Sequence, residues 1–280
     1  MSSDLTFTAY SLATILCWGA GDFVGGYAAK RTNAFVLTAF AHTGGLILMA
    51  TLAWGAHAPF PSPHKAYWAL AAGLSGGAAL AIFYRALAEG KMGVTAPVSA
   101  VLGAAIPVTF AIFTEGLPRN LQLAGFALAV SGIYLISRPE EEAGRPRGLW
   151  LAVLAGLGFA GFFLCMKQTG ESSALWDAVL SRAASLLLVL VIVVTSRLEM
   201  KIAPREIALG VLAGCLDVTG TALYVRANQT GRLDAAVVLT SLYPAVTVML
   251  ARVLLKEHLD CWKTAGMVAA IAAVPMIALQ

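Results

Sequence analysis

Apolar residues run through this sequence in long blocks, interrupted by short clusters of charge, proline and glycine. A bilayer core needs roughly 20 mostly apolar residues per helix. The blocks divide on that measure into ten predicted spans, at residues 6–29, 34–55, 66–88, 93–114, 119–137, 148–168, 174–196, 205–226, 234–255 and 261–279. The cuts fall at Lys30-Arg31-Thr32-Asn33, between His57 and Lys65, and at Glu115-Gly116-Leu117-Pro118-Arg119. Connections this short force neighbouring helices to run antiparallel.

Composition says which solvent these helices meet. Hydrophobic residues make up 59% of the 280 and charged residues only 12%, whereas a soluble domain carries roughly 25% charged. Such a chain lacks the polar covering for water, and lipid resolves the imbalance. The net charge of +4 is scattered between apolar blocks, so no basic stripe points to nucleic acid. Cys17, Cys165, Cys215 and Cys261 are far apart and without metal-ligand spacing, and are expected to be buried structural thiols. Met1-Ser2-Ser3-Asp4 has no side-chain cation, so the first block is expected to be a retained helix and not a signal peptide.

The longest polar segment, Ser137 to Arg147, lies at the midpoint, and the two sides of it correspond. Gly90-Lys91-Met92 to Ser99 answers Gly231-Arg232-Leu233 to Thr240. Gly103 falls where the second half has Pro244, Phe113 to Leu117 answers Leu255 to Leu259, and Gly125 answers Gly266. Chance likeness between apolar helices is the alternative, but the anchors keep register. The expected organisation is therefore a first unit at 1–137, a charged linker at 138–147 and a second unit at 148–280. Five spans per unit make the second enter the membrane from the opposite side, an inverted-topology repeat. Small-residue pairs Gly21/Gly25, Gly73/Gly77 and Gly210/Gly214 permit close helix packing.

Polar residues inside spans are the candidate chemistry, because charge at a helix centre costs roughly 2.5–3.5 kcal/mol on insertion scales. Asp22 and Asp217 each stand well inside a span and could bind a proton or a cationic group; a structural hydrogen bond or internal ion pair is the plainer role. His42 and Arg182 hold matching places in the two halves. Arg182 either pairs with a buried carboxylate or snorkels to the headgroups, the latter being the simpler expectation. Tyr84 and Tyr224 also match, as interfacial aromatics or as cavity walls; Asp217, Thr221 and Tyr224 share one helical face. Pro97, Pro107 and Pro244 are expected helix breaks. No hydrolytic triad, metal cluster or phosphate loop occurs, and neither an enzymatic activity nor a cofactor is expected.

The stretch Ser241-Leu242-Tyr243-Pro244-Ala245-Val246-Thr247-Val248-Met249-Leu250-Ala251-Arg252, followed by Glu257, resembles the signature of EamA-type members of the drug/metabolite transporter superfamily. Trp18-Gly19-Ala20-Gly21-Asp22-Phe23 and Gly266 fit the same pattern. The resemblance implies an all-α membrane fold of ten helices, 5+5, around a central cavity lined by spans 1, 3, 4, 6, 8 and 9. The first half departs from the pattern, with Gly103 in place of the proline and His42 in place of Arg182. The resemblance also implies cytoplasmic termini. The charge bias opposes that: Lys30, Arg31, Lys91, Arg138, Arg145, Arg147, Arg197, Lys201, Arg205, Lys256 and Lys263 fall on one side, and Lys65, Arg119, Lys167 and Arg232 on the other.

The expected function is a secondary transporter of the cell (inner) membrane working by alternating access, an exporter of a small metabolite, amino acid or drug-like cation, with proton coupling open. Asp22 and Asp217 are expected to bind substrate or proton. Trp18, Tyr84, Tyr224, Thr221, Ser241 and Tyr243 are expected to line the cavity. Expected partners are a small-molecule substrate and membrane lipid, with the protein a monomer or homodimer. An uptake carrier of the same fold is the alternative, and a lipid-acting membrane enzyme a more distant one.

Overall fold

Residues 3–90, 92–136, 148–255 and 261–278 are described by a computed structural model. The expected linker at 138–147, together with Lys91 and Lys256 to Asp260, lies outside the described residues. Among the described residues the chain is helical throughout: α1 (Ser3–Ala29), α2 (Ala34–Gly55), α3 (Pro63–Glu89), α4 (Met92–Glu115), α5 (Asn120–Ile136), α6 (Leu149–Gln168), α7 (Ala174–Thr195), α8 (Pro204–Thr230), α9 (Leu233–Thr240), α10 (Tyr243–Leu255) and α11 (Cys261–Ala278). Among the described residues, seven segments are long and apolar enough to cross a membrane: α2, α3, most of α4, α6, α7, α8, and α9 with α10. α1 and α5, also marked as spans by the apolar pattern, fall outside that group. α5 is only 17 residues long, and α1 carries Thr6, Thr8, Ser11, Thr14 and Asp22.

Helix ends follow local chemistry. Asn33 caps α2 by accepting from the backbone N–H of Phe35 at 2.9 Å. Pro63 and Pro204 open α3 and α8, where a missing N–H costs nothing. The C-termini of α2 and α7 close in the same way. His57 and Arg197 turn into positive φ. Beyond them, the N–H of Ala58 reaches the carbonyl of Ala53, and that of Leu198 reaches Val193, both at 3.0 Å.

The predicted ninth span is two helices, with Ser241 and Leu242 forming the turn between α9 and α10. Pro244 has no N–H to offer Thr240, and it disfavours helical backbone at Tyr243. The Val237 carbonyl closes α9 by accepting both the backbone N–H of Ser241 at 2.9 Å and its hydroxyl at 2.6 Å. Pro97 and Pro107 do not break their helix, contrary to expectation: α4 runs unbroken from Met92 to Glu115. Glycine stands four residues before each, at Gly93 and Gly103. For Pro107, the ring meets the carbonyl of a residue whose backbone can yield.

Packing crosses between the halves. α1 lies on α8 and α6 on α3; α2 lies on α8 and α7 on α3; α4 packs on α6 and α10 on α1; α2 meets α7, and α5 meets α11. Exchanging the two halves maps each of these pairs onto another or onto itself. Glycine makes the closest crossings. A Cβ on Gly73 would strike the Ser181 carbonyl, and one on Gly214 would strike the Ala41 carbonyl. Ser185 fixes the α3–α7 crossing further, its hydroxyl donating to the Gly73 carbonyl at 2.7 Å.

The outer surface is apolar: Phe113 is 84% exposed, Trp54 74% and Val194 70%. Lipid is the medium such a surface fits. The cysteines depart from expectation. Cys17, Cys165 and Cys215 are only half-buried and Cys261 is exposed, because a thiol behaves as a small apolar group and suits a lipid-facing surface as well as a core.

Candidate functional site

The helix crossings leave an unfilled space at the centre of the bundle, with about 50 Å³ open to the centres of water-sized molecules. Trp18 and Asp22 come from α1, one turn apart and so on one face. Gly76 and Leu80 come from α3, Ser99, Ala100 and Gly103 from α4, and Phe159, Phe162 and Phe163 from α6. α7 contributes Ser181, Arg182 and Ser185, and α8 contributes Asp217 and Thr221. Ser241 and Tyr243 project from the α9–α10 break.

Arg182 and Asp217 form an ion pair, Nη2 to Oδ2, at 2.5 Å. The same nitrogen donates to Thr221 Oγ1 at 2.8 Å, and Nη1 lies 3.3 Å from His42 Nδ1. Arg182 is 5% exposed. The snorkelling expected of it is therefore overturned; the guanidinium is turned inward because a carboxylate, a hydroxyl and an imidazole wait for it there. His42 and Arg182, which occupy equivalent places in the two halves, meet where those halves meet.

Asp217 also fixes the neighbouring aromatic wall through its backbone. Its carbonyl accepts from Trp18 Nε1 and from Thr221 Oγ1, each at 3.1 Å. The Trp18 ring thereby stands 5.9 Å from Phe163, 6.2 Å from Tyr243 and 5.6 Å from Tyr224, centroid to centroid. Thr247 holds α10 to α1 by donating to the Gly19 carbonyl at 3.1 Å.

Asp22 is placed differently. It is 5% exposed and faces the cavity. Among the described residues no hydrogen bond or ion pair joins its carboxylate. The two aspartates that look alike in the sequence thus differ in the fold: one is neutralised by Arg182, and the other is not.

Of the residues expected to line the cavity, Trp18, Thr221, Ser241 and Tyr243 do so. Tyr84 and Tyr224 do not. Both are fully buried in the packing behind the wall; Tyr84 presses on Gly25, and Tyr224 stacks among Trp18, Phe162 and Phe163. They are not interfacial aromatics either. The lining set implied by the family resemblance omits α7, yet α7 supplies Arg182 and two serines. Phe159, Phe162 and Phe163 were equally unmarked in the sequence, since an apolar residue facing a cavity looks like one facing lipid.

No curated protein matches the chain. A crystal structure of another protein superposes with a TM-score of 0.72 over 96% of this chain and 95% of that one, at 16% identity, a likeness of fold. The sequence pattern of the EamA-like transporter family matches residues 7–138 and again 146–279. With nearly the whole length covered in two copies, this chain is a multi-pass membrane protein belonging to the EamA-like transporter family.

Proposed function

We propose that the protein is a secondary transporter carrying a small solute through the central cavity by alternating access. The observation that carries this reading is the cavity itself, lying between the halves and lined from both, with buried polar groups inside an otherwise apolar bundle. The proposed frame is ten spans in two inverted five-span units, 1–137 and 148–280, joined by the charged linker. The exchange of packing partners between the halves supports it, because a pseudo-two-fold arrangement gives the site two related exits. An outward direction in the cell membrane, with cytoplasmic termini, follows the family resemblance and runs against the lysine and arginine distribution.

The test needs no substrate. Ser99→Cys and Ser241→Cys, each in a background with the native cysteines replaced, are labelled with a membrane-impermeant maleimide from either side of sealed vesicles. Alternating access predicts that both positions react from both sides, and a tag at one terminus reads the orientation in the same preparation. Labelling from a single side under every condition would sink the transport reading and leave a receptor or lipid-acting enzyme in its place.

A further inference from the structure

We propose that the solute taken by this cavity is an amphipathic organic monocation, held by Asp22 against an aromatic wall. The inference rests on the transport reading for the identity of the site, and on charge and shape for the class of ligand.

The first argument is a count of charge. Three ionisable groups of fixed sign face the cavity: Asp22, Asp217 and Arg182. Arg182 and Asp217 are in contact and cancel. Nη2 and Nη1 of Arg182 are further engaged by Thr221 and His42, and its Nε is buried without a partner among the described residues. Asp22 remains, a carboxylate almost wholly removed from solvent and without a cation beside it among the described residues. A buried carboxylate of that kind takes up one positive charge, as a proton or as a cationic group set beside it. A ligand with one positive charge brings the cavity to neutrality; a zwitterion leaves its own carboxylate unanswered, and a dication overshoots.

Shape is the second argument. Trp18 lies one turn from Asp22 on the same face of α1, and its ring is held by the Nε1 bond to the Asp217 carbonyl. Phe159, Phe162, Phe163 and Tyr243 complete the apolar lining. An ammonium at Asp22 would sit within reach of aromatic faces, where cation–π attraction adds to the ion pair, while the ligand's apolar body fills the remainder. Ser99 and Ser241 are among the lining hydroxyls able to accept an N–H of the ligand.

The experiment is calorimetric titration of the purified full-length protein in micelles with three probes of matched shape: phenethylammonium, 2-phenylethanol and phenylalanine. The expected result is binding of the cation at least tenfold tighter than either the neutral alcohol or the zwitterion. Asp22→Asn should abolish that preference, and Asp22→Glu should keep it. Equal affinity for the cation and the alcohol in the unmodified protein would overturn the proposal, as would a preference that survives Asp22→Asn. The unmodified-protein comparison stands even where Asp22→Asn fails to fold. Two-sided labelling of Ser99→Cys together with no cation preference would discard the ligand class and leave transport standing; one-sided labelling would discard transport.

Discussion

Glu115, the last residue of α4, meets Lys167, in the last turn of α6, at 2.7 Å. The contact joins the first half of the chain to the second, and its surroundings strengthen it. Glu115 also accepts from the backbone N–H of Leu233 at 3.1 Å. Arg232 donates to the carbonyls of Glu115 and Gly116 at 3.0 and 2.7 Å, placing a cation on the negative end of α4. Arg232 is steadied in turn by Asp234 at 2.9 Å. At the same end of the bundle Lys65 donates to the Glu171 carbonyl, and Trp176 to that of Ala58. Together these contacts close the helix ends on one another here.

Removing the charge at Glu115 should loosen that closure. A charge-assisted hydrogen bond contributes about 1.5–3 kcal/mol, and partial exposure keeps this one near the lower figure. Glu115→Gln is expected to raise maleimide labelling of Ser241→Cys from the Glu115 side about fivefold, with labelling from the other side lower. An unchanged ratio would mean that the cluster is only a helix cap.

The Arg182–Asp217 pair should behave as an internal strut. Breaking a buried pair on one side leaves an unanswered charge and costs about 3–5 kcal/mol, whereas removing both partners costs far less. Chemical unfolding in mixed micelles is expected to show Asp217→Leu and Arg182→Met each strongly destabilised. The Arg182→Met/Asp217→Leu double variant should lie closer to the parent than either. Additive losses would refute the coupling.

Gly73 and Gly214 should tolerate nothing larger. Each faces a backbone carbonyl of the opposite half, which cannot rotate away as a side chain can. Alanine at either position is expected to cost about 1–3 kcal/mol through overpacking. Gly55, with open space around it, serves as the control, and Gly55→Ala should change stability by less than about 0.5 kcal/mol. The measurement is the unfolding midpoint of the three variants side by side.

Tyr84 and Tyr224 provide a contrasting case. Their hydroxyls are buried and make no hydrogen bond among the described residues. Taking away an unsatisfied buried hydroxyl is neutral or stabilising. Tyr84→Phe and Tyr224→Phe are therefore expected to melt at or slightly above the parent temperature and to bind phenethylammonium as tightly. A tenfold loss of affinity in either would return that tyrosine to the cavity wall.

The sequence exposed the site where it broke the apolar rule. Asp22, Asp217 and Thr221 stand out in apolar blocks because membrane polarity is costly, and Pro244 announces the α9–α10 break because no other residue lacks an N–H. What stayed hidden depends on rotation about the helix axis. Arg182, inside the seventh predicted span, reads more simply as turned outward, and only the placement of Asp217, Thr221 and His42 turns it in. Phe159, Phe162 and Phe163 face a cavity with the same side chains that Phe113 presents outward. The difference between Asp22 and Asp217 was likewise illegible, since it is made by a neighbour 160 residues from one and 35 from the other. Pro97 and Pro107 misled because the helix accommodates them where the sequence pattern alone suggests interruption.

The interleaving of the halves bears on how the protein is made. α3 finds its closest surface on α6 and α7, and α1 finds its own on α8, segments that the ribosome has yet to synthesise when the earlier helices enter the bilayer. The first five helices must wait in lipid with Gly73, Gly77 and His42 uncovered, and a nascent chain stalled near residue 147 has no core to close. Assembly is thus a late event that waits on the second half, and the two halves expressed as separate polypeptides should rescue each other although neither survives alone.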